Sequence, residues 1–271
     1  STPIPIDADG EGLVDTVYAG DLKGNVWKFD LSNATPTSWG VAYSGAALFS
    51  AGTTQPITTP PEVSLHPSSG LMVLIGTGKY LEAGTTDSGS TTTQSFYGLH
   101  DNGSVIAASS LIEQNIITTT VGSKTYRKTD PTPTCDADPL TTAIPDCPSP
   151  SKGWYVDLPT SGERTTGSPK LENGKIYFNT FIPSITPCEF GGTGWLMALD
   201  YLTGSTPVDK IFDTNGDGTI DSSDTSVAGI EVGAALGGTT LIKSAPGGGA
   251  SVGVSSLTTG KTTSELINFG A

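Results

Sequence analysis

Basic side chains, histidine, methionine and cysteine are all scarce in this sequence. Lys and Arg number 13 against 27 Asp and Glu, a formal net charge of −14 over 271 residues. A chain this acidic, with no Lys/Arg cluster, excludes nucleic acid as a partner, because phosphate binding needs such clusters. No run of 18 apolar residues occurs, so no membrane-spanning helix is expected. The two histidines, His66 and His100, are far apart in sequence, and no Ser sits in a Gly-x-Ser-x-Gly elbow. Neither a Ser-His-Asp nor a Cys-His catalytic unit is therefore legible. Helical periodicity is nearly absent too. Its best stretch, Ala107 to Ile117, is broken by Ser109-Ser110 and grades into the β-branched run Ile116 to Val121.

The three cysteines are Cys135, Cys147 and Cys188. The first two bracket a Pro/Asp/Thr-rich loop that a disulfide would staple in an oxidising compartment. The third is either a free thiol or half of a bond to a residue outside this sequence, and spacing alone does not settle connectivity. The sequence opens at Ser1 without Met or signal sequence, and we read it as a piece of a longer precursor with its targeting signal upstream.

What is present points to strands. Gly 35 and Pro 19 make up about a fifth of the chain, against roughly 12% in an average protein. At 35% hydrophobic residues the chain can still bury a core, which argues against disorder. Val14–Tyr18 and Asn25–Asp30 read as a hairpin around Gly20 to Gly24. Val73–Ile75, Phe96–Leu99, Gly153–Leu158, Lys170–Leu171, Lys175–Asn179 and Trp195–Asp200 read as further strands. Three of them share a grammar of Gly entry, aromatic or apolar core and Asp exit: Gly24 to Leu31, Gly153 to Leu158, and Gly194 to Asp200. Recurrent strands of this kind suit radially repeated sheets, in which each blade packs its aromatic face on the next. The expected fold is all-β, a single modified β-propeller-like domain over 1–271. About fifteen strands would make about four blades, with polar surface insertions at Thr85 to Ser95 and Thr129 to Ser151. An ordinary β-sandwich is the alternative.

The sharpest chemistry is Asp213-Thr214-Asn215-Gly216-Asp217-Gly218-Thr219-Ile220-Asp221-Ser222-Ser223-Asp224. Oxygen-bearing side chains occupy positions 1, 3, 5, 9 and 12 of a calcium loop, with Gly at 6. Calcium takes six to eight hard oxygens, and alternate residues of a tightly wound loop converge on one point. Asp213, Asn215, Asp217, the Thr219 carbonyl and Asp221 are the candidate ligands. Asp224 stands where a longer bidentate Glu usually closes such a site, and Ile220 is expected to pin the loop to a core. A second loop offers Asp7, Asp9, Glu11, the Leu13 carbonyl and Asp15 in the same places. It leads into a strand rather than a helix. The alternative is a solvated Asp/Gly turn at Asp213 and a fraying acidic turn at Asp7, neither of them a metal site.

The remaining motifs read as structural. His66, followed by Pro67, reads as a loop residue, and His100 beside Asp101 as a turn residue. Gly76-Thr77-Gly78-Lys79 has the flavour of a phosphate loop, but Tyr80 stands where Ser or Thr is required. Asp87-Ser88-Gly89-Ser90 reads as linker.

Assembled in order, the segments resemble the C-terminal domain of the PilY/PilC family of type IV pilus proteins. Tyr18-Ala19-Gly20-Asp21-Leu22-Lys23-Gly24-Asn25-Val26-Trp27-Lys28-Phe29-Asp30-Leu31 is similar to that domain's opening. Gly76 to Leu81, Phe96 to Gly103, Gly153 to Leu158 with Gly162-Glu163-Arg164, Phe178 to Pro183, Pro187-Cys188, Gly194 to Asp200 and the Asp213 loop follow in the family's order. The resemblance implies a modified β-propeller at the cell surface, pilus tip or outer membrane of a Gram-negative bacterium. It implies minor pilins and other pilus components as partners, and contact with host or abiotic surfaces. It also implies Ca²⁺ at Asp213, Asn215, Asp217 and Asp221, favouring the extended pilus over retraction, with a second ion in another acidic loop of some members. The family's Arg-Gly-Asp is absent, since Ala19-Gly20-Asp21 stands here, so integrin binding finds no support. On this reading the chain is not an enzyme. The alternatives are a quinoprotein-type propeller enzyme, which needs a cofactor platform and a catalytic acid, and a dockerin-like protein-binding module.

Overall fold

The computed structural model describes residues 1–82, 85–130, 151–184, 192–233, 235–242, 251–257 and 262–267. Cys135, Cys147 and Cys188, and most of the insertion expected from Thr129 to Ser151, lie outside them. The chain opens with β1 (Ile4–Ile6), β2 (Thr16–Gly20), β3 (Asn25–Asp30), β4 (Gly40–Val41) and β5 (Phe49–Ser50), which make one sheet. A second sheet follows from β6 (Glu62–Leu65), β7 (Leu71–Gly76), β8 (Ser95–Asp101) and β9 (Ile112–Glu113). The hairpin β10 (Ile116–Val121) and β11 (Lys124–Thr129) leaves for a third sheet, and β12 (Gly153–Asp157) returns to the second. β13 (Lys170–Glu172), β14 (Lys175–Asn179), β15 (Ile182–Pro183), β16 (Gly192–Asp200) and β17 (Gly229–Gly233) complete the third sheet. The last three strands, β18 (Ala235–Ile242), β19 (Ser251–Leu257) and β20 (Thr262–Ile267), form a fourth. Among the described residues the four sheets use 20 strands rather than the expected fifteen or so, because short edge strands such as β4, β5 and β9 carry no alternation of their own. Almost all pairings are antiparallel, the β9–β12 pair being parallel.

Why these segments are strands is plain in their burial. A residue period of two sends neighbouring side chains to opposite faces, and in β7 every residue is buried. Met72 and Leu74 face one way and pack with Phe96, Trp154, Val156, Ile176, Phe178 and Met197, joining the second sheet to the third. Leu71, Val73 and Ile75 face the other way and pack with Tyr18, Val26, Phe49 and Tyr97, joining the second sheet to the first. The third sheet repeats the arrangement: Leu196 and Ala198 turn away from the second sheet, toward Tyr177, Phe212, Ile230 and Ile267. Sheets stacked face to face in chain order, each interior one apolar on both sides, are how propeller blades bury their surface.

The Gly-aromatic grammar has a concrete role at Trp154. This fully buried indole donates Nε1–H to the Tyr201 carbonyl at 3.0 Å. Gly98 lies against the indole, as does Gly204, which sits at φ +71°; a Cβ on either would overlap the ring. The Asp exits cap turns as expected in two cases. Asp30 accepts from the Ser32 amide and hydroxyl, and Asp200 from the amides of Leu202 and Thr203. Asp157 instead accepts from the Ser95 hydroxyl across the β8–β12 pair.

As its broken periodicity implies, Ala107 to Ile117 forms no α-helix but a 3-10 turn at Ala108–Ser110 followed by β9 and the start of β10, since its β-branched residues fit a pleated surface better. Two other expectations are corrected. His100 is not a turn residue: it lies in β8 opposite Met72 of β7, and its ring stacks on His66 with centroids 3.8 Å apart. The segment from Thr85 to Ser95 is no simple polar insertion. It opens with the helical turn Thr85–Ser88 and buries Asp87 and Gln94. The Asp87 carboxylate accepts from the amides of Leu81 and Glu82 and meets Lys79 Nζ at 3.3 Å.

Candidate metal centres

The Asp7 loop closes the β1–β2 hairpin and the Asp213 loop closes the connection into β17. Both are built by the same hydrogen bonds. Asp7 accepts the Gly10 amide on Oδ1 and the Gly12 amide on Oδ2, each at 2.7 Å. Asp213 accepts the Gly216 amide on Oδ1 at 2.6 Å and the Gly218 amide on Oδ2 at 2.9 Å. Two residues on, Asp9 Oδ1 accepts the Glu11 amide at 3.1 Å, and Asn215 Oδ1 accepts the Asp217 amide at 2.9 Å. Short Asp and Asn side chains readily bond the backbone two or three residues ahead. The glycines at the fourth and sixth positions supply the positive φ that winds the chain: +80° and +92° at Gly10 and Gly12, +78° and +85° at Gly216 and Gly218. An Asp followed at i+3 and i+5 by glycine is thus the shared element. That spacing is visible in the sequence, although the calcium-loop template directs the eye only to the second glycine.

The loops differ in what binds the second position's amide. In the first loop Asp15 Oδ2 accepts the Ala8 amide at 2.8 Å, drawing Asp15 over the turn. Oxygens of Asp7, Asp9 and Asp15 then lie within 4.8 Å of one another, the one such group of three among the described residues. Glu11 is not part of it, and Leu13 is 67% exposed. The loop's feet are pinned rather than frayed. Ile4 to Ile6 pair with Tyr18 to Thr16, the Asp15 amide bonds the Ile6 carbonyl at 3.0 Å, and the Ser1 ammonium bonds the Gly20 carbonyl at 2.7 Å.

In the second loop the corresponding amide, of Thr214, bonds Asp224 instead. Asp224 is 4% exposed. Its Oδ1 accepts from the Thr214 amide at 2.7 Å, the Thr214 hydroxyl and the Asn215 amide, and its Oδ2 accepts the Asp221 amide at 2.9 Å. Burial alone would raise its pKa, but the amides of Asp221 and Thr214 outweigh that and hold it below the usual carboxylate range. The structure therefore places Asp224 as the inward clasp of the loop, while Asp213, Asn215, Asp217 and Asp221 are carried on its outer part. Thr214, which the sequence did not single out, completes the clasp: its hydroxyl accepts the Thr225 amide, and its carbonyl accepts the Tyr126 hydroxyl of β11. Ile220 is only half-buried. Asp217 is engaged by the hydroxyl and amide of Thr219, and by the Asn215 amide group at 3.0 Å.

The donor set is hard oxygen throughout, the chemistry that suits Ca²⁺. None of the eight acids in the two loops has a Lys or Arg partner among the described residues. In each loop two glycine amides hold the first carboxylate in place. Asp7 is kept below the usual carboxylate pKa, chiefly by the Gly12 amide, and Asp217 chiefly by the Thr219 hydroxyl. Rich in oxygen donors and unpaired with cations, both loops suit a divalent ion, and the Asp7 loop already brings three carboxylates together. The two histidines fit none: stacked face to face, their in-plane nitrogens do not converge on one point.

Comparison with known proteins follows the same order of residues. A family model described as the PilY1 beta-propeller domain matches residues 1–124. A type IV pilus biogenesis factor PilY1 homolog of Xylella fastidiosa is 36% identical over 222 residues, which span 76% of this chain and 14% of that protein. The type IV pilus biogenesis factor PilY1 of Pseudomonas aeruginosa strain UCBPP-PA14 is 30% identical over 266 residues, spanning 82% of this chain and 23% of that protein. The chain thus covers a quarter or less of these relatives' length. The crystal structure of the Pseudomonas aeruginosa PilY1 C-terminal domain superposes with a TM-score of 0.76 at 27% identity, covering 100% of this chain and 60% of that one.

Proposed function

Because the chain belongs to the PilY/PilC family, as a counterpart of its C-terminal domain, we propose that it is a calcium-binding module of a type IV pilus biogenesis factor. The observation that carries the calcium reading is the shared amide scaffold of the two loops, each presenting unneutralised hard oxygens. Asp7, Asp9 and Asp15 would hold one ion; Asp213, Asn215, Asp217 and Asp221, with the Thr219 carbonyl, the other. A bound divalent cation supplies positive charge that relieves carboxylate repulsion and fixes the loop conformation. The chain's own residues do the coupling. Asp224 and Thr214 clasp the second loop, and Thr214 joins it to β11 through Tyr126, so ordering the loop orders that edge of the third sheet.

In this reading the module sits at the cell surface or pilus tip, where minor pilins or an attachment surface meet the ordered loops. Calcium then favours the extended pilus. The relatives' names support pilus biogenesis, and the quinoprotein and dockerin alternatives draw no support from them. Two experiments test the reading. Saturating Ca²⁺, but not Mg²⁺, raises the melting temperature of the chelator-stripped protein. At about 100 times Kd the stabilisation is ~2.7 kcal/mol. Bacteria whose full-length protein carries Asp217→Ala show fewer surface pili by electron microscopy. Wild-type pilus numbers in that strain would refute the link to pilus state.

A further inference from the structure

Asparagine followed by glycine is the pair in which the backbone can attack its own side chain, because glycine has no Cβ to hinder the approach of its nitrogen. Three such pairs occur: Asn102-Gly103, Asn173-Gly174 and Asn215-Gly216. In the attack the glycine nitrogen gives its proton to hydroxide and bonds to the Asn Cγ. The bond from Cγ to the side-chain nitrogen breaks, and ammonia leaves with a proton from water. Water then opens the cyclic imide at either carbonyl, leaving Asp or isoaspartate. The reaction is favoured by an open turn, a polarised Cγ carbonyl and an unrestrained leaving nitrogen, and the three turns differ in these.

Asn215 is clamped. Its Nδ2 donates to Asp217 at 3.0 Å and to Ser223 at 2.8 Å, its Oδ1 accepts the Asp217 amide, and Asp213 holds the Gly216 amide at 2.6 Å. Asn173 stands at φ +46° in a tight turn closed by the β13–β14 pairing of Glu172 with Lys175. Asn102 is freer. It follows β8 on a stretch that is exposed through Val105, and a Cβ at Gly103 would meet nothing within 4 Å. Its Oδ1 accepts from Lys152 Nζ at 2.9 Å and from the Ser104 hydroxyl at 3.3 Å. Lysine carries only donors, so the carbonyl oxygen and not the amide nitrogen faces it. A cation there draws electrons from Cγ and stabilises the charge that develops on the oxygen during attack. Among the described residues no Asp or Glu pairs with Lys152, and nothing accepts from Asn102 Nδ2. The Gly103 amide rests on Asp101 Oδ1 at 3.1 Å, a longer bond than the one that holds Gly216, so its nitrogen is released more readily.

We propose that Asn102 is a self-modification site, converting to Asp and isoaspartate ahead of the other two pairs because Lys152 activates its side-chain carbonyl. The product carboxylate forms where Lys152 already donates, so the same ammonium assists the attack and then pairs with the product. Isoaspartate also adds a backbone methylene beside Asp101, whose carboxylate gathers Tyr18, Lys28 and Tyr43. The change therefore falls at the junction of the first two sheets.

The test is peptide mass spectrometry of this chain aged at neutral pH, following the amide-to-acid mass gain at each of the three pairs. Isoaspartate is scored with an isoaspartyl methyltransferase. Folded protein is compared with the chain in urea, where the three turns lose their structural differences. Asn102 is expected to convert first in the folded protein and to keep no such lead in urea. Lys152→Met is expected to slow Asn102 about tenfold, less than the ~10²–10³ of a donor in a water-excluded site because this turn is exposed. Asn173 and Asn215 should keep their rates in that variant. Ser104→Ala, a change on an exposed loop, should give a smaller slowing and reports on the site even where Lys152→Met disturbs folding. Conversion of Asn102 no faster than at Asn173 and Asn215, a lead that persists in urea, or an unchanged Asn102 rate in both variants would each overturn the assignment.

Discussion

Replacing Glu163 by Gln tests the packing logic at its most demanding point. The Arg127 and Glu163 side chains are 1% and 0% exposed, and they meet in a two-pronged pair with N···O distances of 2.5 and 2.8 Å. The guanidinium also lies over the Trp195 ring at 4.0 Å and reaches the Thr160 hydroxyl at 3.1 Å, while its Nε has no partner. Gln keeps the shape but removes the charge, leaving a buried cation whose only strong counterpart is gone. Breaking a buried pair from one side costs about 3–5 kcal/mol. At roughly 2–4 °C per kcal/mol for a chain near this size, the melting temperature should fall on the order of 10 °C. Thermal unfolding followed by Trp fluorescence measures it. The companion Arg127→Met/Glu163→Leu variant should recover most of the loss, because apolar replacement of a buried pair is often neutral. A fall of less than ~1 kcal/mol in Glu163→Gln would show that water reaches the pair, against its burial here. The effect also bears on the Asp213 loop, since the Arg127 carbonyl accepts the Ala228 amide that leads from that loop into β17.

Two more stability changes follow from particular contacts. Gly204→Ala should destabilise by ~1–3 kcal/mol through overpacking against Trp154, with added strain at its positive φ; an unchanged urea midpoint would contradict the description of that contact. Asp101 is buried, which alone would raise its pKa, but Lys28, Tyr18 and Tyr43 donate to it and hold it below 3.8. A depressed folded pKa contributes stability that is present above the unfolded value and lost as pH falls through the folded one. Asp101→Asn should therefore cost ~2 kcal/mol or more at pH 7 and flatten the acid side of the stability curve below pH ~4. A parallel acid limb in the variant would refute this.

The sequence made the strands legible wherever an apolar or aromatic run had Gly at its entry, because period-two burial and tight turns leave marks within a few residues. It did not show which strands share a sheet. Nothing local announces that β11 pairs with β17, or that β12 comes back past the β10–β11 hairpin. The two acidic loops were legible for the same local reason. Their acids and glycines sit within nine or twelve residues, and Asp7, Asp9 and Asp15 converge even though Glu11 is longer than the usual residue at its place. The inward turn of Asp224 was not legible, since it depends on Thr214 being buried beside β11. The cross-chain contacts were equally hidden. Asp101 gathers Tyr18, Lys28 and Tyr43 from 58 to 83 residues away, and Arg127 finds Glu163 at a separation of 36. Asp87, which reads as linker, is buried because its carboxylate satisfies amides that turn back toward it.

The central claim is that two acidic loops on one scaffold each take a calcium ion, and calorimetric titration of chelator-stripped protein tests it most directly. The account predicts two calcium-selective sites, with Mg²⁺ silent, and one remaining site in each of Asp7→Ala and Asp217→Ala. No binding heat, or an unchanged count of sites in both variants, would contradict it.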